Sequence, residues 1–248
     1  ASIIAFSFIW ILFQQFQMSY LFLYVIGGGV SVVVVLFCWQ HFPLFPEKVT
    51  QTKKIILRKR YWLYYALQFM SGARRQIFVV FAGFLMVEKF NFTVAEISLL
   101  LIANAAINVV FPPKIGRLIQ RFGERKSLIF EYVGLSLIFA GYAFVESSTF
   151  AVFLYIADHL LFSIAIALKT YFQKIADPAD IASSAGVSFT INHIAAVFIP
   201  VLFGLVWLYS PSLVFLAGSG MAIISLLLAF NMPAKPASGN EVLLGKFS

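Results

Sequence analysis

Two consecutive arginines, Arg74 and Arg75, interrupt an apolar stretch that runs from residue 61 to residue 87. A charge at hydrocarbon depth costs about 2.5–3.5 kcal/mol on insertion scales, so it faces a cavity or a partner. The chemistry open to this pair is anion recognition, because a guanidinium meets a carboxylate or a phosphate through two parallel hydrogen bonds. The competing structural reading is an internal ion pair with Asp158. Neighbouring residues project about 100° apart on a helix, so at most one arginine faces squarely into a central cavity. The other must snorkel, pair or meet a neighbouring helix.

Further polar groups fall at comparable depth. Asp158 precedes His159, and a buried carboxylate beside a cation or a histidine can exchange a proton near neutral pH; a plain hydrogen-bonded helix contact is the alternative. Asn104 with Asn108, and Ser188 with Asn192, stand four residues apart and so share a helix face, with His193 adjoining the second pair. These amides and His193 read either as ligands of a small molecule or as interhelical hydrogen-bond partners. No HExxH, Walker loop or spaced Cys/His cluster occurs, so neither a metal nor a cofactor is expected. Cys38 is the single cysteine, which rules out an intrachain disulfide and reads as apolar filler.

The elements that carry these residues follow from composition. The chain is 61% hydrophobic and 11% charged, with a mean hydropathy of +0.93, whereas soluble domains carry about 25% charged residues. Its apolar runs are close to the 20 or so residues that cross a bilayer as a helix. Eight such segments can be drawn, at 1–16, 20–39, 61–87, 94–111, 127–145, 150–172, 182–208 and 212–230. The first is the shortest and ends in Gln14, Gln15 and Gln17. The expected fold is therefore an all-α integral membrane protein, a polytopic bundle of seven to eight transmembrane helices embedded in lipid.

A net charge of +8 would suggest a nucleic-acid partner in a soluble protein, but here the basic residues sit between spans. Fourteen of the 18 Lys and Arg fall on one side, chiefly in 40–60 and 112–126, whereas only Lys89 falls on the other. Arg74, Arg75 and Lys169 lie within spans. By the positive-inside rule the basic side and the C-terminus are cytoplasmic, in an inner or plasma membrane, and no nucleic acid is implied. No basic n-region precedes the first apolar stretch, so no signal peptide is read. The tail beyond Met232, with Pro233, Pro236 and Gly239, reads as disordered. Gly27, Gly28 and Gly29 read as packing or bending residues, as do Gly218, Ser219 and Gly220.

The basic stretch PPKIGRLIQRFGERKS, residues 112–127, resembles the signature cytoplasmic loop of the major facilitator superfamily. That pattern is Gly, three residues, Asp, Arg, one residue, Gly, then basic residues. Gly116, Arg121, Gly123, Arg125 and Lys126 match it, while Gln120 stands where the acid belongs. The resemblance is to the second, often degraded, copy of the motif. It implies that 61–231 is a second six-helix bundle and that 1–39 is the end of a first bundle, with one partial and one complete helix. Residues 40–60 are then a basic cytoplasmic linker, and 232–248 a cytoplasmic tail.

Function follows from the same resemblance. It implies secondary active transport of a small solute by alternating access, driven by a gradient, since no nucleotide loop is present. Substrate ligands would come from Arg74, Arg75, Asn104, Asn108, Asn192 and His193, proton coupling from Asp158 and His159, and gating from the Gly116 to Lys126 motif. Family members have twelve helices, so an N-terminal bundle or a second copy of the chain would complete the pathway. Two other classes stay open at this point: a non-transporting membrane scaffold with internally paired charges, and an intramembrane enzyme using Asp158 and His159.

Overall fold

The computed structural model describes residues 7–11, 20–42 and 56–246. Among these the chain is helical almost throughout, with a single isolated bridge between Ala237 and Asn240 as its only β pairing. After a helical stretch at 7–11 come α1 (Tyr20–His41), α2 (Lys59–Phe90), α3 (Val94–Val110), α4 (Pro112–Phe122), α5 (Glu124–Ala143), α6 (Ser148–Ile175), α7 (Pro178–Tyr209) and α8 (Pro211–Phe230). By length and composition five of these helices can cross a membrane, or six if α3 and α4, bent by 51° at Phe111, form one span. The protein is an all-α polytopic membrane protein. Helix α5 is 20 residues long, but Glu124, Arg125, Lys126 and Glu131 dilute its apolar character, and it is not among those five. Of the segment expected at 1–16, only 7–11 lies within the described residues.

Local chemistry sets the helix ends. Asn91 adopts the left-handed conformation, with φ of 56°, and closes α2. Thr93 and Glu96 then form a reciprocal capping box that opens α3, which accounts for the sequon-like Asn91–Phe92–Thr93 without glycosylation. Pro112 and Pro113 occupy the first turn of α4, where no N–H is needed. Within α2 the six residues Ile77–Ala82 form a π-helical segment directly after the arginine pair. Such insertions re-aim the side chains beyond them.

Apolar burial does not bind helices to one another in lipid, so close approach and hydrogen bonds must. Helices α5 and α8 show both. A side-chain carbon at Gly218 would come within 2.8 Å of the Phe139 ring, and Ser219 donates to the Ser136 carbonyl at 2.9 Å. Gly218, Ala222, Ser225 and Ala229 form a buried stripe of small residues along that contact. Helices α2 and α7 meet through Gly72 against Asn192, through Ser188 donating to Tyr64 Oη at 2.8 Å, and through Tyr65 with Ser184 at 3.2 Å. By contrast, the described side chains of α1 are almost all exposed, and nothing lies within 4 Å of where side chains at Gly27, Gly28 and Gly29 would start. The packing role expected of those three glycines is not met among the described residues.

Two apolar layers fill the interior. One gathers Phe78, Phe81, Phe139, Tyr142, Trp207 and Phe215. The other gathers Tyr61, Tyr64, Leu67, Tyr132, Leu168 and Tyr171. Polar residues gather at the boundary of the two layers: Asp158 on α6, Asn192 on α7 and Ser225 on α8 lie between them, while Arg74 on α2 and Glu131 on α5 stand next to the layer edges at Ala73 and Tyr132. The fold therefore carries a polar belt at mid-height.

The tail departs from the sequence expectation. Residues 231–246 fold back on the helix ends, and the disorder inferred from Pro233, Pro236 and Gly239 does not hold. Tyr171 Oη donates to the Glu241 carbonyl at 2.6 Å, Trp62 Nε1 donates to Gly245 at 2.9 Å, and Val242 is 2% exposed. Asn231 clamps Leu244 with both ends of its amide. Docking one apolar residue and four hydrogen bonds offsets the chain entropy that proline and glycine composition alone would have favoured.

Candidate functional site

The belt opens on one side into a cavity of about 610 Å³. Helix α2 lines it with Gln68, Arg75 and Gln76, α3 with Asn108, α6 with His159 and Lys169, and α7 with Asn192 and His193. Arg75, Lys169, Asn108 and His193 are exposed, so the cavity reaches the protein surface. Arg75 stacks over the Phe162 ring, 4.9 Å from its centroid, which leaves the guanidinium edge free for a ligand. Asn108 Nδ2 and His159 Nε2 lie 2.6 Å apart and join α3 to α6 across the cavity wall. Its lining holds the basic side chains of Arg75 and Lys169 and no carboxylate.

Arg74 turns the other way. It is 1% exposed, stacks on Tyr132 with 4.6 Å to the ring centroid, and donates through Nε to the Met70 carbonyl at 3.2 Å. Among the described residues both of its terminal nitrogens lack a hydrogen-bond partner. So do both carboxylate oxygens of Glu131 and Oδ1 of Asp158, residues that are 0% and 1% exposed. Charge–charge interactions join Arg74 to both carboxylates, the carboxylates to each other, and Arg75 to Asp158. The ion pair between an arginine and Asp158 that the sequence allowed is not formed within 4.0 Å. Asn104 is buried beside Tyr155, and among the described residues neither of its amide atoms meets a partner within hydrogen-bond geometry.

The sequence-selected residues thus divide into two groups. Arg75, Asn108, Asn192, His193 and His159 line the cavity, whereas Arg74, Asn104 and Asp158 lie behind its wall. Asp158 and His159 are adjacent in sequence but project to different places, and do not make a shared acid–base pair. Gln68, Gln76 and Lys169 were not selected for the site from sequence. The signal for Lys169 was present, as a third cation within an apolar span; Gln68 lies two helical turns before Arg75 and Gln76 directly follows it on the same helix.

The basic stretch 112–127 is not a loop but mainly helix α4, with Ile115 and Ile119 buried and Lys114, Arg117 and Arg121 exposed. An i,i+4 apolar pair flanked by basic residues is an amphipathic helix pattern, which dense positive charge masks in a hydropathy reading. Gly123, with φ of 84°, breaks the chain between α4 and α5. Arg125 donates to the carbonyl of Phe230 at 2.9 Å and so caps the end of α8. Gly116 has open space around it, while Arg121 and Lys126 stay exposed. Buried Glu124 pairs with Lys174 of α6 at 2.5 Å. On the same face Arg58 meets Asp180 at 2.9 Å, with Arg60 and Tyr61 adding contacts to that carboxylate.

The profile of the Major Facilitator Superfamily matches residues 64–245, most of the chain. The protein belongs to the Major Facilitator Superfamily. No curated protein and no solved structure matches the chain. Members of the superfamily are membrane transporters, and the matched region holds the cavity, the polar belt and the folded tail alike. For a superfamily member a binding site between helices is the expected position for cargo, and the cavity lies between α2, α3, α6 and α7.

Proposed function

We propose that the protein is a secondary active transporter that moves a small anionic solute across an inner or plasma membrane by alternating access, coupled to protons. The carrying observation is the charge of the cavity: Arg75 and Lys169 face it, the amides of Gln68, Gln76, Asn108 and Asn192 surround them, and no acidic side chain lines it. Two cations facing a water-accessible cavity attract an anion and hold it by charge-assisted hydrogen bonds, while the amides satisfy its neutral polar groups. Asp158, within charge range of Arg75 but screened from the cavity, supports a proton-binding role. The basic residues of 40–60 and 112–126 support a cytoplasmic C-terminus.

Residues 61–231 act in this reading as one six-helix half. A further bundle, or a second copy of the chain, closes the open side of the cavity. The Arg125–Phe230 and Glu124–Lys174 contacts hold α5, α6 and α8 together at one end, so that this half moves as one body, and leave the exposed Arg121 and Lys126 of the same motif to face the other half as the two rock. A scaffold would pair its buried charges internally; an exposed Arg75 that forms no ion pair within 4.0 Å among the described residues favours transport.

Uptake by reconstituted vesicles tests the reading. Phosphate, dicarboxylates and sugar phosphates are offered against neutral sugars of similar size, with and without an inward proton gradient. Gradient-dependent accumulation of an anion, lost in Arg75→Gln, is expected. Accumulation of neutral sugars alone, or of nothing, overturns it.

A further inference from the structure

Four charged side chains at mid-height form one electrostatic set: Arg74 and Arg75 on α2, Glu131 on α5 and Asp158 on α6. With all four ionised the set is neutral. Three of them are sealed from solvent, and only Arg75 reaches the cavity. Among the described residues none of the four is neutralised by a partner outside the set. The groups facing the carboxylates are Arg74, Tyr132 and Asp158 around Glu131, and Arg74, Arg75, Tyr142, Tyr155 and Glu131 around Asp158, with His159 beside Arg75.

Resting on the anion-transport reading above, we infer that Glu131 and Asp158 together form a proton site that fills when an anion occupies Arg75. An anion bound at Arg75 cancels the charge that balanced Asp158. The buried set is then left with one guanidinium against two carboxylates, an unbalanced charge that a water-free interior disfavours. Arginine has no proton to exchange, so the balance is restored by one proton shared between Glu131 and Asp158. Solute and proton therefore bind together and leave together, which is symport. No contact between solute and carboxylate is needed, because Arg75 is the common partner. Glu131 is as essential as Asp158: with either carboxylate removed, the set carries one excess positive charge when empty, and the anion alone neutralises it.

The stoichiometry of proton uptake tests this directly. The detergent-purified protein, in weak buffer with a pH indicator near neutral pH, is titrated with whichever of phosphate, succinate and glycerol phosphate it binds by calorimetry. The wild type is expected to take up about one proton per singly charged anion equivalent bound, and Glu131→Gln and Asp158→Asn each about none, with affinity that no longer falls as pH rises. Binding without proton uptake in the wild type, or uptake unchanged in Glu131→Gln, overturns the inference while leaving anion transport standing. Absence of binding by all three anions instead overturns the anion reading itself. If neither variant folds, the wild-type stoichiometry decides alone.

Discussion

Arg74 and Arg75 are adjacent in sequence and occupy different environments: Arg75 borders the cavity, while Arg74 is sealed against Tyr132 in the interior behind it. The helical turn between consecutive residues produces this division. It assigns solute contact to Arg75 and charge balance to Arg74, so that equivalent substitutions have unlike consequences.

Arg75→Ala is expected to leave the fold intact and to raise the apparent KM for an anion by about tenfold or more, the loss of a charge-assisted contact worth about 1.5–3 kcal/mol. Arg75→Lys keeps the charge but not the fork, and recovers only part of the affinity. Initial uptake rates against solute concentration measure both.

Arg74→Ala leaves Glu131 and Asp158 in the interior without their shared cation. Removing one partner from a buried charged group costs about 3–5 kcal/mol. A clear loss of thermal stability in detergent is expected, with partial recovery in the double variant Arg74→Met with Glu131→Gln. Equal stability of Arg74→Ala and Arg75→Ala would contradict the assignment.

Glu124 is 4% exposed and its partner Lys174 is about half exposed. Lys174→Met therefore strands a buried carboxylate and is expected to destabilise more than Glu124→Gln, which removes the charge that needs compensation. A double-mutant cycle on melting temperature gives the coupling between the two positions.

Truncation after Met232 removes the contacts of Glu241, Val242, Leu244 and Gly245. The truncated chain is expected to melt earlier and to be cut by protease near the exposed ends of α2 and α6. A disordered tail would give an unchanged melting curve.

The helices were legible because long apolar runs and sparse charge leave few alternatives in lipid; seven segments coincide with helices to within a few residues. Helix α4 was hidden because its apolar stripe is two isoleucines wide among three basic residues. The tail was misread because composition reports local preference, whereas Glu241 and Gly245 are held by Tyr171 and Trp62, which lie 70 and 183 residues away. Of the site, the polar residue types could be picked out at depth but not their directions. Asn104 and Asn108 were expected on one face, yet Asn104 is buried while Asn108 lines the cavity, because a four-residue step turns by about 40° and α6 packs against that part of α3. Glu131 does not stand out as a mid-belt group because it follows the basic stretch 112–127 by only four residues. Its burial depends on α2 and α6, which sequence spacing does not reveal.

Thiol labelling at the two arginine positions reaches the central claim most directly. In a Cys38→Ser background, Arg75→Cys is expected to react with a membrane-impermeant reagent and to be protected by the transported anion, whereas Arg74→Cys stays unreactive in the folded protein. Equal reactivity at the two positions, or labelling of Arg75→Cys that no anion slows, would contradict it.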